Sequence, residues 1–364
     1  MVAKFVAPGR VNLIGEHTDY NLGFVLPIAL SLATHIETQP NSDGMLRVSS
    51  EQEPDGRAWP VDAIASLKPE KHWTDYVAGV AQQLLNRGIA IEPLDLGIRS
   101  DVPQGSGLSS SAALEVATAL ALLQGRPIDP LEIARLCQRA EIDFVGMPCG
   151  IMDQFVAVFG RPGAALKIDC RSLSCEPVIL PQNVEIIAVN SMVKHSLAAS
   201  AYRMRVEECA IAVDSIHSRF PAVESLRDAT PAHIEAVPMP RIIRRRARHI
   251  VNENRRVELF VNAAVRVAPE RMGELFVESH RSMQHDYEIT CDEVDFLVDT
   301  AIGIAGCYGA RMTGGGFGGC TVNLVAPEAV ERFRSEISAR YIERFGITPE
   351  IFPCVPSEGA RQVS

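Results

Sequence analysis

The residues able to do chemistry gather in four places along the chain. One is Pro103-Gln104-Gly105-Ser106-Gly107-Leu108-Ser109-Ser110-Ser111-Ala112-Ala113. Gly105 and Gly107 let a backbone approach a ligand closely, while Ser109, Ser110 and Ser111 fall where a helix N-terminus leaves amides unpaired and collects partial positive charge. A phosphate is stabilised there. Serine caps and glycine turns also join strands to helices with no ligand, so the loop by itself supports both readings. The second place is Arg10 to Asn21, where Arg10, Glu16, His17 and Asp19 crowd around an apolar foot of Val11, Leu13 and Ile14. Carboxylates and an imidazole on one loop suit a polyhydroxylated ligand, whose hydroxyls both donate and accept. Scattered charge on a surface loop is the plain alternative. The third is Glu141, four residues from Cys137, three from Phe144 and seven from Ala134, and so on the apolar face of its helix. A carboxylate there needs a partner. An ion pair would serve, and so would Mg²⁺, which takes one or two protein oxygens and leaves its other positions to phosphates and water, with Ser111 as the second ligand. The fourth is Asp153, early in a helix, where it is either a favourable helix-dipole charge or a general base.

These residues need elements to hold them. Leu94, Leu96 and Ile98 alternate with polar neighbours as a half-buried strand, and Pro103 stops it before the serine loop. Ala112 to Leu123 is apolar nearly all round, which predicts a buried central helix ending at Gly125. Lys4 to Ala7, Phe24 to Leu30, Ala33 to Thr38 and Met45 to Ser49 read as strands, with a loop-rich stretch over 41–60 and an amphipathic helix from His72 to Asn86. Asp129, Pro130 and Glu132 start a helix that runs toward Gly146. Beyond a boundary placed near Pro181, helical pattern covers Ser196 to Phe220, carrying Tyr202, and Pro231 to Pro240 reads as a connector. The run Arg241, Arg244, Arg245, Arg246, Arg248, Arg255 and Arg256 is broken by Glu253 and keeps helical apolar spacing, so it predicts a solvated, salt-bridged helix face. Arg311-Met312-Thr313-Gly314-Gly315-Gly316-Phe317-Gly318-Gly319-Cys320 contains a formal GxGxxG, but a strand pattern follows it, so it fails as a dinucleotide fingerprint and predicts close backbone packing instead.

Composition limits the partners. With 364 residues, 47% hydrophobic and 22% charged, the chain has the make-up of a globular protein of more than one domain. A net charge of -10 argues against broad binding to nucleic acid or an anionic membrane. No leader or anchoring apolar run is visible, and nine cysteines without a CxxC pair fit reduced thiols, so a cytoplasmic location is expected.

Three of these stretches, in this order, resemble the GHMP kinase superfamily: PQGSGLSSSAA its phosphate loop, MPCGIMDQF its catalytic segment, and RMTGGGFGGC its third motif. GRVNLIGEHTDYN resembles the sugar-recognition segment of the branch that phosphorylates galactose. The resemblance implies an α+β, two-domain GHMP kinase fold, with a ribosomal S5-like N-terminal domain over 1–182, a ferredoxin-like C-terminal domain over 183–364, and the active site between them. It implies ATP as co-substrate, Mg²⁺ as cofactor, D-galactose as substrate, and a monomer. By motif, Asp153 is similar to the catalytic aspartate and Arg10 to its partner. Glu16, His17, Thr18, Asp19, Gly150 and Tyr202 resemble sugar contacts, and Gly105, Ser106, Gly107, Leu108, Ser109, Ser110 and Ser111 nucleotide contacts. Ser111 and Glu141 resemble the magnesium ligands. Another sugar 1-kinase of the superfamily, acting on N-acetylgalactosamine or arabinose, and a sugar-and-ATP sensor without turnover stand as alternatives. The first motif lies closer to the N-terminus than is usual in the family, which is expected to loosen that lobe. Gln284-His285 stands where Arg-Asp is expected, which would alter a contact in the C-terminal domain.

Overall fold

The molecule is described by a computed structural model over residues 2–194 and 198–363. Its first half contains strands β1 (Ala3–Asn12), β2 (Phe24–Val25), β3 (Pro27–Pro40), β4 (Met45–Ser50), β5 (Arg57–Pro60), β6 (Leu94–Ser100), β7 (Ala164–Asp169) and β8 (Ser174–Ile179). Helices α1 (Asp75–Asn86), α2 (Ser110–Leu123), α3 (Pro130–Arg139) and α4 (Met152–Phe159) lie among them. The second half runs β9 (Glu185–Lys194), α5 (Ala198–His217), α6 (Pro231–Ala236), α7 (Arg241–Val265), α8 (Pro269–Ser282), α9 (Asp292–Ile302), β10 (Cys307–Thr313), β11 (Gly318–Val325), α10 (Val330–Phe345), β12 (Glu350–Pro353) and β13 (Arg361–Val363). Ser196 and Leu197, where the sequence predicts the start of α5, lie outside the described residues.

Three sheets result, in the orders β13-β1-β3-β6-β4-β5, β2-β7-β8 and β10-β11-β9-β12. The architecture is the α+β one that the motifs imply. As its all-round apolar pattern demands, α2 is buried, packing Val116 and Leu122 against Phe5, Ile36, Leu84 and Leu136. Glu115 is the one charged residue on that helix, with no exposure at all. In the second half, α9 and α10 cover their sheet through Leu297, Val298, Phe333 and Ile337. A third core is shared: Val11, Leu13 and Ile14 pack with Val257, Phe260, Phe276 and Val322, so the foot of the first chemical loop rests on elements from the far half of the chain.

Several expectations need correcting. Besides the expected strand β4, which pairs parallel with β6, the stretch over 41–60 holds a second strand, β5, paired antiparallel with β4. The proline-rich connector contains helix α6, started by Pro231 and capped by the Thr230 side chain, which accepts from the amide of His233. The basic helix face is not solvated throughout: Arg246 is 1% exposed, donating to Glu208 at 2.8 Å, to Glu288 at 2.7 Å and to the carbonyl of Asp286 at 2.6 Å. The chain's last strand, β13, pairs antiparallel with β1, returning the C-terminal segment to the first sheet. Among the described residues no helix is long and apolar enough to cross a membrane.

Candidate active site

Arg10 sits near the end of β1, just past a bulge that shifts the register between Pro8 and Arg10. Its own amide donates to the carbonyl of Leu108 at 2.9 Å, tying the strand to the serine loop. Close approach is possible because Gly9 has no side chain: a Cβ there would stand 2.7 Å from the same Leu108 carbonyl. The guanidinium then grips Asp153, in the first turn of α4, with Nε donating to Oδ1 and Nη2 to Oδ2, each at 2.7 Å. Nη1 donates to the carbonyl of Gly107 at 2.5 Å. This fork-on-fork pairing fixes direction as well as charge. Burial alone would depress the pKa of Arg10, but the charge and hydrogen bonds of Asp153 outweigh it, so the arginine stays cationic. Ser109, in left-handed backbone conformation at φ 59°, donates its hydroxyl to Asp153 Oδ2 at 2.5 Å.

Two cavities meet at this pair. The larger, about 390 Å³, is lined by Gly105, Gly107, Ser109, Ser110 and Ser111, by Trp73, Tyr76, Ile98 and Leu114, and by Ser50, Gln52 and Glu53. Ser109 makes no side-chain cap to α2, which leaves the first-turn amides for an anion. The smaller cavity, about 170 Å³, is lined by Glu16, His17, Asp19, Gly150 and Tyr202, with Glu141, Cys149, Gly314 and Gly315. Among the described residues Arg10 and Asp153 alone line both.

Three sequence-predicted contacts lie outside these linings. Thr18 is wholly buried and donates its hydroxyl to the carbonyls of Gly15 at 2.9 Å and Phe24 at 2.6 Å, so it shapes the loop from within. Ser106 is 1% exposed and donates to the carbonyl of Pro103 at 2.8 Å. Leu108 places its side chain in the shared core. Sequence reasoning missed Trp73 and Tyr76 as cavity residues, reading the stretch from His72 to Asn86 only as an amphipathic helix; Trp73 stands just before α1 and Tyr76 in its first turn. Ser50, Gln52 and Glu53 carried no signal, because they reach the serine loop through partners distant in sequence, Gln104 Nε2 donating to Glu53 Oε1 at 3.0 Å.

Electrostatics separates the acidic groups. Burial, then the charge of Asp153, pushes Asp19 up to about 7. Gly150 makes room for Asp19: a Cβ would meet its Oδ2 at 1.9 Å. Glu16 is raised by burial, opposed first by Arg311, and its Oε1 accepts from the amide of Gly314 at 3.1 Å. Burial likewise holds His17 down at about 3, so its imidazole is neutral. Its Nε2–H donates to the carbonyl of Gly315 at 3.2 Å, and Nδ1 accepts from the hydroxyl of Tyr20 at 2.7 Å.

Glu141 lies in a π-helical turn, Ala140–Val145, that follows α3 and ends at Gly146 in left-handed conformation. Burial and then the charge of Asp153 raise it to about 7, against hydrogen bonds from Cys149, Gln154 and Ser111. The amide of Gln154 donates both to Glu141 at 2.7 Å and to Glu115 at 3.0 Å, and the other oxygen of Glu115 has no partner. Two buried carboxyls, both raised first by burial, thus stand near Ser111, and Ser111 with Glu141 offers the oxygen donors that a magnesium ion sharing its other positions with phosphates would take. Among the described residues there is no cluster of three or more His, Cys, Asp or Glu that could hold a metal by itself.

The glycine loop between β10 and β11 closes the site. A Cβ on Gly314 would stand 3.0 Å from the carbonyl of Gly107, and one on Gly319 2.8 Å from that of Ser106, so backbone packs on backbone as the glycine run predicts. Gln284 bridges α8 and α9, accepting from Arg281 at 2.9 Å and donating to Asp295 at 2.7 Å, apart from both cavities.

Comparison with known proteins meets this geometry at each part. A model described as the galactokinase galactose-binding signature matches residues 3–40, one for the GHMP kinases N terminal domain matches 75–161, and one for the GHMP kinases C terminal matches 262–343. The galactokinase of Roseiflexus sp. (strain RS-1) is 44% identical over 363 residues, spanning 98% of this chain and 92% of its own. The chain belongs to the galactokinase family. Galactokinase from Chloroflexus aggregans (strain MD-66 / DSM 9485) is 43% identical over 97% of this chain and 91% of its own. The crystal structure of Lactococcus lactis galactokinase complexed with galactose superposes with a TM-score of 0.95 at 34% identity, covering 100% of this chain and 95% of that one. A Methanococcus jannaschii mevalonate kinase shares the fold at TM-score 0.70, 18% identity and coverage of 98% of each chain. Within this galactokinase-family chain, the galactose-binding signature spans β1 and the loop carrying Glu16 to Asp19. The N-terminal match spans the serine loop and Asp153, and the C-terminal match spans the glycine loop.

Proposed function

We propose that this chain transfers the γ-phosphoryl group of ATP to the C1 hydroxyl of D-galactose, giving galactose 1-phosphate and ADP, and that it does so as a cytoplasmic monomer. One observation carries the mechanism: the Arg10–Asp153 pair is the shared wall of a phosphate-loop cavity and a small polar cavity. The segment 1–182 supplies the nucleotide site and most of the sugar site, and 183–364 closes them with Tyr202 and the glycine loop.

In the larger cavity, Trp73, Tyr76 and Leu114 offer an apolar slot for the base, while the first-turn amides of α2 receive the phosphates. In the smaller one, Glu16, His17, Asp19 and Tyr202 surround the sugar hydroxyls. Asp153 accepts the C1 proton as the new bond to phosphorus forms; Ser109 and Arg10 occupy part of its lone-pair capacity, and a carboxylate has room for a further donor. Arg10 offsets charge on the phosphoryl oxygens. A magnesium ion held by Ser111 and Glu141 would supply further charge neutralisation to the phosphates. Most of the acceleration then comes from positioning and electrostatics.

A coupled ADP-release assay across galactose, N-acetylgalactosamine, arabinose and mannose tests the reading. Galactose should give the largest kcat/KM. Preference for another sugar would move the chain to a different specificity, and no ADP release with any sugar would leave a sensor.

A further inference from the structure

The basic helix α7 takes no part in the chemistry above, yet it reaches the sugar loop. Glu253 is wholly buried. Its Oε1 accepts from the backbone amides of Gly15 at 3.0 Å and Glu16 at 3.3 Å and from the hydroxyl of Ser279 at 2.7 Å, while Oε2 accepts from Arg256 Nε at 2.6 Å. Arg311, on β10, grips the acceptors of the same stretch. Its Nη1 donates to the carbonyl of Leu13 at 2.7 Å and of Asn12 at 3.3 Å, with Glu16 Oε1 at 3.4 Å, and Nη2 stands 3.8 Å from Glu253 Oε1. His249 adds a bond to the carbonyl of Glu16 at 3.2 Å. The peptide groups over 12–16 are therefore held by side chains from the C-terminal half, and His17 and Asp19 follow directly.

We propose that Glu253 is a positioning residue for the sugar site, its carboxylate acting with Arg311 as a clamp that sets the backbone leading into His17 and Asp19. The proposal rests on the smaller cavity being the sugar site. Two features set it apart from general scaffolding. Buried ionic networks add little stability over apolar packing of the same volume, because desolvation consumes most of the attraction, so what this one specifies is geometry. Most of its bonds also converge on a single short stretch of backbone, and His17 and Asp19 just beyond it line only the smaller cavity.

The test compares Glu253→Gln, which keeps shape and removes charge, with Ile337→Val, a core change in α10 remote from both cavities. Galactose and MgATP are titrated separately by calorimetry, and KM is measured for each. Glu253→Gln should weaken galactose binding about tenfold, raise galactose KM in step, and leave both ATP constants within about twofold. Ile337→Val should move neither. Galactose binding at wild-type strength, or an equal loss for galactose and ATP, would overturn the clamp. If the Gln variant does not fold, Arg311→Lys carries the same test with the same two outcomes, since it keeps the charge and loses the forked donor. A wild-type protein that does not bind galactose would overturn the sugar reading itself, and the clamp's role with it.

Discussion

At the scale of single residues, the small cavity is built from groups that would be unremarkable apart and are shifted by being together. Gly150 is the sharpest case, because its missing side chain is the space Asp19 occupies. Gly150→Ala should push Asp19 aside and raise galactose KM about tenfold or more while ATP KM stays put, which steady-state kinetics with each substrate varied will show. Asp19 also carries a pH signature. Its folded value of about 7 lies above the 3.8 of an ordinary aspartate, so between them the native state holds a proton the unfolded chain has lost. Asp19 therefore contributes stability at low pH that disappears as pH rises through about 7. His17, held at about 3 against 6.5, works in the opposite sense: its share is present above 6.5 and lost as pH falls. Asp19→Asn removes the first contribution and keeps the second, so its melting temperature relative to wild type should climb between about pH 5 and pH 8. A flat difference would contradict that assignment. Arg10, Asp153 and Glu141 were legible as candidates because each stands out from its neighbours by type, and Ser111 only as one of a run of three serines. Thr18 and Ser106 bond their own loops, which could not be read in advance because a hydroxyl that bonds its own loop is identical in sequence to one that faces a ligand.

At the scale of elements, the strand-loop-helix unit from β6 to α2 followed directly from alternation, Pro103 and the apolar run, and α3 from Asp129 and Pro130. The glycine loop between β10 and β11 was legible as backbone packing, though its partner was not. That partner is the serine loop, and the contact yields a prediction. Gly319→Ala would place a Cβ 2.8 Å from the Ser106 carbonyl at φ 78°, a doubly unfavourable position. ATP KM should rise by about tenfold with a smaller change for galactose, measurable in the same kinetic assay. The basic helix was read only in part. Its spacing showed a salt-bridged helix, but the partners of Arg246 and Glu253 come from positions as distant as Glu288 and Gly15, and no local pattern records such pairings.

At the scale of the whole molecule, two half-sites from distant segments meet at one ion pair. Separation in sequence explains what was missed: the slot of Trp73, Tyr76 and Leu114 combines residues of two helices and of the turn before the first of them, and β13 is only three residues long, too short for any periodicity. The shared core of Val11 and Leu13 with Val257 and Phe260 shows why neither half would hold the sugar loop unaided. Asp153 is where both half-sites and the proposed proton transfer coincide. The decisive measurement is therefore galactose phosphorylation by Asp153→Asn, with ATP binding followed in parallel by calorimetry. Turnover should fall by ~10²-fold or more while ATP affinity stays within a few-fold of wild type; wild-type-like phosphorylation of galactose by the Asn variant would contradict the mechanism.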